Sequence, residues 1–341
     1  MPRSASLLLN LGSPNSPSVR DVRSYLREFL MDPYVLDSPY LLRAFLVYGL
    51  ILPFRPKRSA HAYQKIWTEK GSPLVSISQN FAQKVKEKLP NHPLYLAMRY
   101  GQPSVSSVLN QVFDEHPDLE DLQICPLYPH YAMSSTKTVV ECVKQHLKKR
   151  GYKGSYRVLR PFYQEPLYIQ ALAESVRPYL RPGVPLLLSY HGLPERHLRK
   201  TDVSGNHCLK TQRCCEIENQ AWEHCYRHHC LRTTAELTHA LGLGKEEVFV
   251  SFQSRLGRDR WLEPDTESML SSLAKRYTSL NVLCPAFVAD CLETLEEIDM
   301  GGRALFRSEG GHHFTYIPCL NEQDSWVSAV ASWIQDESKF L

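Results

Sequence analysis

The stretch Pro185-Leu186-Leu187-Leu188-Ser189-Tyr190-His191-Gly192-Leu193-Pro194-Glu195 decides the fold. A short, nearly continuous apolar run with no polar alternation reads as a strand buried on both faces, the condition of a parallel sheet. Gly192 and Pro194 turn the chain at its carboxyl end, where open parallel sheets place their ligands. Seven further runs of this kind occur, at residues 6–10, 93–100, 122–129, 155–162, 247–253, 281–287 and 314–318. Helical periodicity fills residues 77–89, 136–150, 170–180, 220–241 and 265–277 between them. Alternation of strand and helix predicts an α/β protein with parallel sheets covered on both faces. Four runs fall on each side of about residue 160, so two doubly wound lobes, each on a four-stranded parallel sheet, are expected. The boundaries are 1–160, 161–312 with an insert at 203–232, and a final strand and helix over 313–341 that pack back on the lobes.

Composition narrows the function. Hydrophobic residues make up 43% and charged residues 22% of the 341-residue chain, the balance of a folded globular protein. Forty Lys+Arg oppose 36 Asp+Glu without basic runs, which argues against nucleic acid as a partner. Leu7-Leu8-Leu9 is too short for a secretory signal and residues 44–54 too short to span a bilayer, which takes about 20 residues. A cytoplasmic protein with thiols free or holding metal is therefore expected. Neither Gly-x-Gly-x-x-Gly nor Gly-Lys-Ser/Thr follows a strand, which argues against dinucleotides and nucleoside triphosphates.

Chemistry-bearing residues gather at the strand ends. His191 follows the run quoted above; its bland reading is a core histidine satisfied by a backbone carbonyl. After the run at 281–287, Asp290, Glu293 and Glu297 have the i, i+3, i+7 spacing of one helical face, the pattern of a cation site or proton path. Asp290-x-x-Glu293 also has the form of a capping box. Arg55, Arg58, Tyr63, Arg99, Tyr100, Tyr128 and Tyr131 in the first half, with Gln253-Ser254-Arg255 and Trp261 in the second, suit a flat, partly aromatic ligand bearing carboxylates. Residues 41–54 are nearly all apolar, so they either form a buried helix or meet something greasy. Cys208, Cys214, Cys215, Cys225 and Cys230 lie within 23 residues, beside His207, His224, His228 and His229. Burial alone does not concentrate thiols this way, so a metal centre is expected; zinc and an iron–sulfur cluster both fit the spacing.

Taken in order, several motifs resemble the ferrochelatases: Leu9-Asn10-Leu11-Gly12-Ser13-Pro14, Lys70-Gly71-Ser72-Pro73-Leu74, Met98-Arg99-Tyr100-Gly101, Pro126-Leu127-Tyr128-Pro129-His130-Tyr131, Ser189-Tyr190-His191-Gly192-Leu193-Pro194, and Asp290-Cys291-Leu292-Glu293-Thr294-Leu295-Glu296-Glu297. The resemblance implies two Rossmann-like lobes, protoporphyrin and ferrous iron as substrates, and insertion of the metal with release of two protons. It implies His191 and Glu293 at the metal, with Asp290 and Glu297 as the acidic row beside them. Arg55, Arg58, Tyr63, Ser72, Arg99, Tyr131, Trp261 and Phe287 become the implied porphyrin contacts, and residues 41–54 a lip that also touches a membrane surface. Cys291 stands where relatives carry histidine, and Leu11 where they carry tyrosine or methionine. Some members hold a [2Fe–2S] cluster, which implies Cys208, Cys215, Cys225 and Cys230 as ligands here, with Cys214 the alternate to its neighbour. A homodimer is a further partner reading. The alternatives are a tetrapyrrole or iron carrier or sensor, and a chelatase for cobalt or coproporphyrin.

Overall fold

The computed structural model describes residues 4–255, 257 and 259–341. Eight strands are present: β1 (Ser4–Ser13), β2 (Leu94–Gly101), β3 (Asp121–Pro126), β4 (Ser155–Val158), β5 (Leu186–His191), β6 (Val248–Gln253), β7 (Ser279–Leu283) and β8 (His313–Tyr316). They form two four-stranded sheets, ordered β2-β1-β3-β4 and β6-β5-β7-β8. Every pairing within them is parallel. The same order thus occurs twice, with helices between consecutive strands, as strand–helix alternation requires.

The chain divides into two compact units. One holds the chain up to Tyr128, Met133–Arg160 and Val327–Leu341; the other holds Pro129–Ala132 and Pro161–Trp326. In the first unit, Leu7 and Leu9 of the central β1 pack with Ala97, Leu122 and Ile124 of its neighbours and with the helix residues Val108, Val112, Val139 and Val143. In the second, Leu187 of the central β5 packs with Val282, Phe314 and the helix residues Leu270, Leu273 and Phe306. Central strands covered on both faces have no water-facing side, which is why their sequences lack alternation. Gly12 has φ +98°, and a Cβ there would fall 1.8 Å from the Tyr100 carbonyl oxygen, so only glycine lets β1 run this close to β2 where it pairs with Tyr100.

Three expectations need correction. The run at 155–162 is a strand only to Val158, because Pro161 offers no N–H to a ladder and Phe162 is instead buried against Tyr168 and Trp326. The run at 281–287 ends at Leu283, shortly before Pro285. The helix expected at 220–241 is broken: a 3₁₀ turn covers Gln220–His224, Cys225 is extended, and an α-helix runs Tyr226–Leu241. Cys225 ends the 3₁₀ turn and caps the helix that follows.

Residues 41–54 do not form a buried helix. A short helix (Tyr40–Ala44), a π-helix (Phe45–Ile51) and the start of a helix (Leu52–Ile66) cover them. Leu41 is 81% exposed and Phe54 76%, with Leu42, Phe45, Tyr48 and Leu50 also exposed. Buried Val47 and Arg43, whose guanidinium donates to the carbonyls of Leu36 and Ser38, anchor the segment. Among the described residues, no helix is long and apolar enough to cross a membrane.

Candidate active site

His191 ends β5, and the surrounding backbone holds it from several directions. The N–H of Gly192 donates to the Gln253 carbonyl at the end of β6 (2.7 Å), and Leu262 N–H donates to the Leu193 carbonyl (3.0 Å). A Cβ on Gly192 would come within 2.5 Å of the Gln253 oxygen and 3.3 Å of the Trp261 ring, so glycine is what allows the strand end to lie against both. His191 Nδ1 lies 2.7 Å from the Gly192 carbonyl oxygen. A carbonyl only accepts, so Nδ1 carries the proton and Nε2 presents the lone pair. Burial lowers the pKa of His191, an effect that the nearby Glu293 carboxylate opposes. The ring meets Phe287 edge-on at 6.1 Å.

Glu293 opens a π-helix, Glu293–Gly302, whose i→i+5 winding is rare and concentrates at functional sites. The buried Gln253 amide donates to the Glu293 carbonyl (3.1 Å), while its oxygen accepts from Ser189 (2.8 Å), tying the helix start to β5 and β6. Ser254, held at φ +66°, donates to Glu297 Oε2 (2.5 Å). Burial and the neighbouring Glu293 raise the Glu297 pKa to about 7, against the Ser254 hydrogen bond that lowers it. A carboxyl that is half-protonated near neutrality can both take and give a proton.

The three acids do not form a single helical stripe. Asp290 precedes the π-helix and is buried. It accepts from the hydroxyl of Tyr316 (2.5 Å) and the amide of Asn321 (2.6 Å), with the Thr294 hydroxyl at 3.1 Å. Its own N–H donates to Asn321 Oδ1 (2.8 Å). The capping box is absent as well, because Cys291 N–H is taken by the Thr294 hydroxyl (2.9 Å) and the Leu292 cap makes no side-chain bond. Tyr316, Asn321 and Thr294 are therefore site-supporting residues that sequence spacing did not indicate.

The remaining residues separate. Trp261 bridges to Pro194 beside His191, and Phe287 packs on the β7–β8 core. Arg55, Arg58, Tyr63, Ser72 and Arg99 all lie in the first unit. Arg55 and Arg58 are exposed on the helix Leu52–Ile66; Tyr63 is buried edge-on to Tyr25 and Trp67, and Ser72 is buried at the start of the helix Pro73–Lys88. Arg99 is committed to a buried carboxylate, pairing with Asp32 and donating to Thr138 (2.8 Å). Tyr131 lies in the second unit, its N–H donating to His229 Nδ1 (3.1 Å) and its ring against His224 at 4.4 Å.

All ten cysteines are thiols without disulfides. Among the described residues, no group of three or more His, Cys, Asp or Glu side chains is disposed to hold a metal ion. The insert thiols instead meet pairwise. Cys225 accepts from Cys208 and Cys215, which lowers its pKa and raises theirs. Cys214 Sγ lies 4.0 Å from Cys215 Sγ, and Arg227 Nη1 approaches both at 3.9 and 4.0 Å. Cys230 is hydrogen-bonded to Tyr226. Cys214 and Cys215 therefore lie side by side, both approached by Arg227, and Cys225 meets Cys208 and Cys215. In the same insert, Trp222 Nε1 and His224 Nδ1 are buried without a hydrogen-bond partner.

Two four-stranded parallel sheets, each flanked by helices, form a fold that this chain shares with solved chelatases. Solved structures similar to this chain include "SirB from Bacillus subtilis with Fe3+" (TM-score 0.58, 9% identity, 98% of this chain and 95% of that one) and the sirohydrochlorin chelatase SirB of Bacillus subtilis subspecies spizizenii in complex with cobalt (TM-score 0.54, 10% identity, 98% and 94%). The ferrochelatase family profile matches residues 3–338. Ferrochelatases of Pseudomonas syringae pv. tomato (48% identity over 325 residues, 95% of both chains) and Azotobacter vinelandii (49% over 330 residues, 96% of this chain and 97% of that one) are similar along nearly their whole length. The chain belongs to the ferrochelatase family, the enzymes that insert ferrous iron into a porphyrin in haem biosynthesis.

Proposed function

We propose that the chain inserts Fe(II) into protoporphyrin IX with His191 Nε2 as the group that meets the reacting centre. The observation that carries this reading is the Nδ1–H bond to the Gly192 carbonyl, which leaves Nε2 basic and fixes the ring's orientation. Insertion releases two pyrrole protons, so a neutral imidazole accepts a proton, and the Glu293 carboxylate beside it favours the resulting cation or the incoming iron. Glu297, poised near neutrality, passes protons on toward Ser254. Asp290 positions the π-helix and does not touch the reacting atoms. Trp261 and Phe287, beside His191, pack the macrocycle, and in the first unit Arg99 acts through the framework around Asp32. Anaerobic assay of His191→Ala and Glu293→Gln with protoporphyrin and Fe(II) tests this. Each should lose most turnover while porphyrin binding persists, and near-native turnover in His191→Ala would refute the assignment. Coproporphyrin and Co(II), run in parallel, identify the preferred ring and metal.

We infer a [2Fe–2S] cluster in the insert from its five thiols, none of them in a disulfide; as they stand no three of them converge on one ion, so metal would draw the ligands together. The family resemblance favours this centre over a zinc site, since both take four Cys or His ligands and the thiol contacts, a chain from Cys208 through Cys225 and Cys215 to Cys214, suit either. Cys208, Cys214, Cys215 and Cys225 would hold it, with Cys230 in place of Cys214 as the competing set. Such a cluster supplies a redox-sensitive crosslink, and iron insertion itself transfers no electrons. Protein isolated without air should contain about two irons and two labile sulfides per chain. One zinc without sulfide would refute the cluster.

The exposed apolar segment around Leu41 and Phe54 supports peripheral contact with a membrane at the cytoplasmic side. Vesicle co-sedimentation should fall when Leu41 and Phe54 are replaced by Ser. Unchanged co-sedimentation with loss of a dimer in ultracentrifugation would assign this face to a homodimer.

A further inference from the structure

We propose that Tyr226 is a positioning residue for iron insertion, linking the thiol-rich insert to the backbone of His191. This rests on the readings of His191 as the reacting base and Cys225 as a cluster thiolate. The pairing of β5 with β7 ends at Leu188–Leu283. The His191 carbonyl lies three residues beyond it, and the buried Tyr226 hydroxyl supplies a donor at 2.8 Å. Tyr226 is the first residue of the helix Tyr226–Leu241, and its N-cap is Cys225. Two adjacent residues therefore face two tasks: Cys225 accepts from Cys208 and Cys215, and Tyr226 holds the carbonyl of His191. The Cys230 thiol, one turn on, lies beside the same hydroxyl.

The helix start has little freedom to move independently of the insert. His229 accepts from Tyr131 N–H at Nδ1 and so donates through Nε2 to the Trp222 carbonyl (2.8 Å), while His228 Nδ1 donates to the Cys215 carbonyl (3.1 Å). Trp222 stacks on His228 at 4.2 Å and Tyr163 on His229 at 3.8 Å. A shift of Cys225 when the insert gains or loses its metal is thereby carried to the Tyr226 hydroxyl, and from there to the plane of the peptide that aims Nε2. The effect is one of geometry, with no electron or proton passing along the route.

The test compares Tyr226→Phe with Tyr190→Phe. Tyr190 is a buried phenol one residue earlier whose hydroxyl pairs with Thr234 (2.9 Å) on the same helix but does not reach His191. Loss of one hydrogen bond at the carbonyl should lower kcat about 3- to 10-fold in Tyr226→Phe and raise KM for Fe(II) with KM for porphyrin unchanged. Tyr190→Phe should keep both constants. In a cycle with Cys225→Ser, the second change should cost little once the first is made, because both act through one hydroxyl. Tyr226→Phe within twofold of the parent, or fully independent effects in the cycle, would overturn the inference, whereas an active His191→Ala would overturn the reading beneath it. Should Tyr226→Phe not fold, hydrogen exchange at the Gly192 amide decides. Faster exchange after metal is stripped from the insert supports the link, and unchanged exchange refutes it.

Discussion

Asp290→Asn should destabilise the second unit more than it slows the chemistry. The native carboxylate accepts from Tyr316 and Asn321 at 2.5 and 2.6 Å, with the Thr294 hydroxyl at 3.1 Å and Cys319 N–H at 3.4 Å from Oδ1. An asparagine keeps one acceptor oxygen. If that oxygen stays on the Tyr316 side, its amide faces the Asn321 amide, donor against donor. One charge-assisted bond is lost, at about 1.5–3 kcal/mol, and a buried donor is left unpaired at about 1–3 kcal/mol. Overlap between the two terms puts the total at about 3–5 kcal/mol. Urea denaturation followed by tryptophan fluorescence reads this directly, with turnover measured on the same preparation well below the transition. Stability within about 1 kcal/mol of the parent, together with a hundredfold or greater loss of kcat, would show that Asp290 acts on protons and not on the geometry of the π-helix.

Three other outcomes rest on buried contacts of the same kind. The Glu297 carboxyl is raised to about 7 from the ordinary 4.5, so the folded state binds the extra proton between these values and stability falls as pH rises through them. At roughly 1.4 kcal/mol per pH unit the penalty at pH 8 is at most about 3.5 kcal/mol, and Glu297→Gln should relieve part of it at pH 8 and little at pH 4, as thermal melts at the two pH values would show. Arg99→Ala removes the cation beside buried Asp32, which keeps only neutral donors from Tyr100, Thr138 and the Tyr34 N–H, so it should cost about 3–5 kcal/mol in urea denaturation; a rise in porphyrin KM with unchanged stability would return Arg99 to direct substrate binding. Gly192→Ala drives a Cβ into the Gln253 carbonyl, so turnover should be lost even where circular dichroism stays native.

The eight strands were legible in the sequence because parallel strands are covered on both faces and therefore read as unbroken apolar runs. Their register and the repeated 2-1-3-4 order were not, since these depend on which runs meet across the chain. His191 was legible as a strand-end residue, yet its tautomer depends on the direction of one carbonyl. The apolar character of residues 41–54 is a local property, whereas their exposure follows from how the segment is anchored through Arg43 and Val47. The break at Cys225 was invisible for a related reason: helical periodicity runs through it, whereas in the fold it ends one turn, caps the helix that follows and meets Cys208 and Cys215.

The acidic residues mark the division most clearly. Spacing placed Asp290, Glu293 and Glu297 in one row, because a linear pattern assumes regular α-helix and takes no account of distant partners. Folding brings Tyr316 and Asn321, 26 and 31 residues away, around Asp290, and brings Ser254 to Glu297 from 43 residues away. The sequence by itself determined the element types, the family and the chemical inventory of the site, all of which are set by local composition and order. Only the tertiary structure decided which acid is occupied in holding the frame and which is left to titrate near neutrality, because desolvation and hydrogen bonding are set by neighbours that the chain supplies from far along its length.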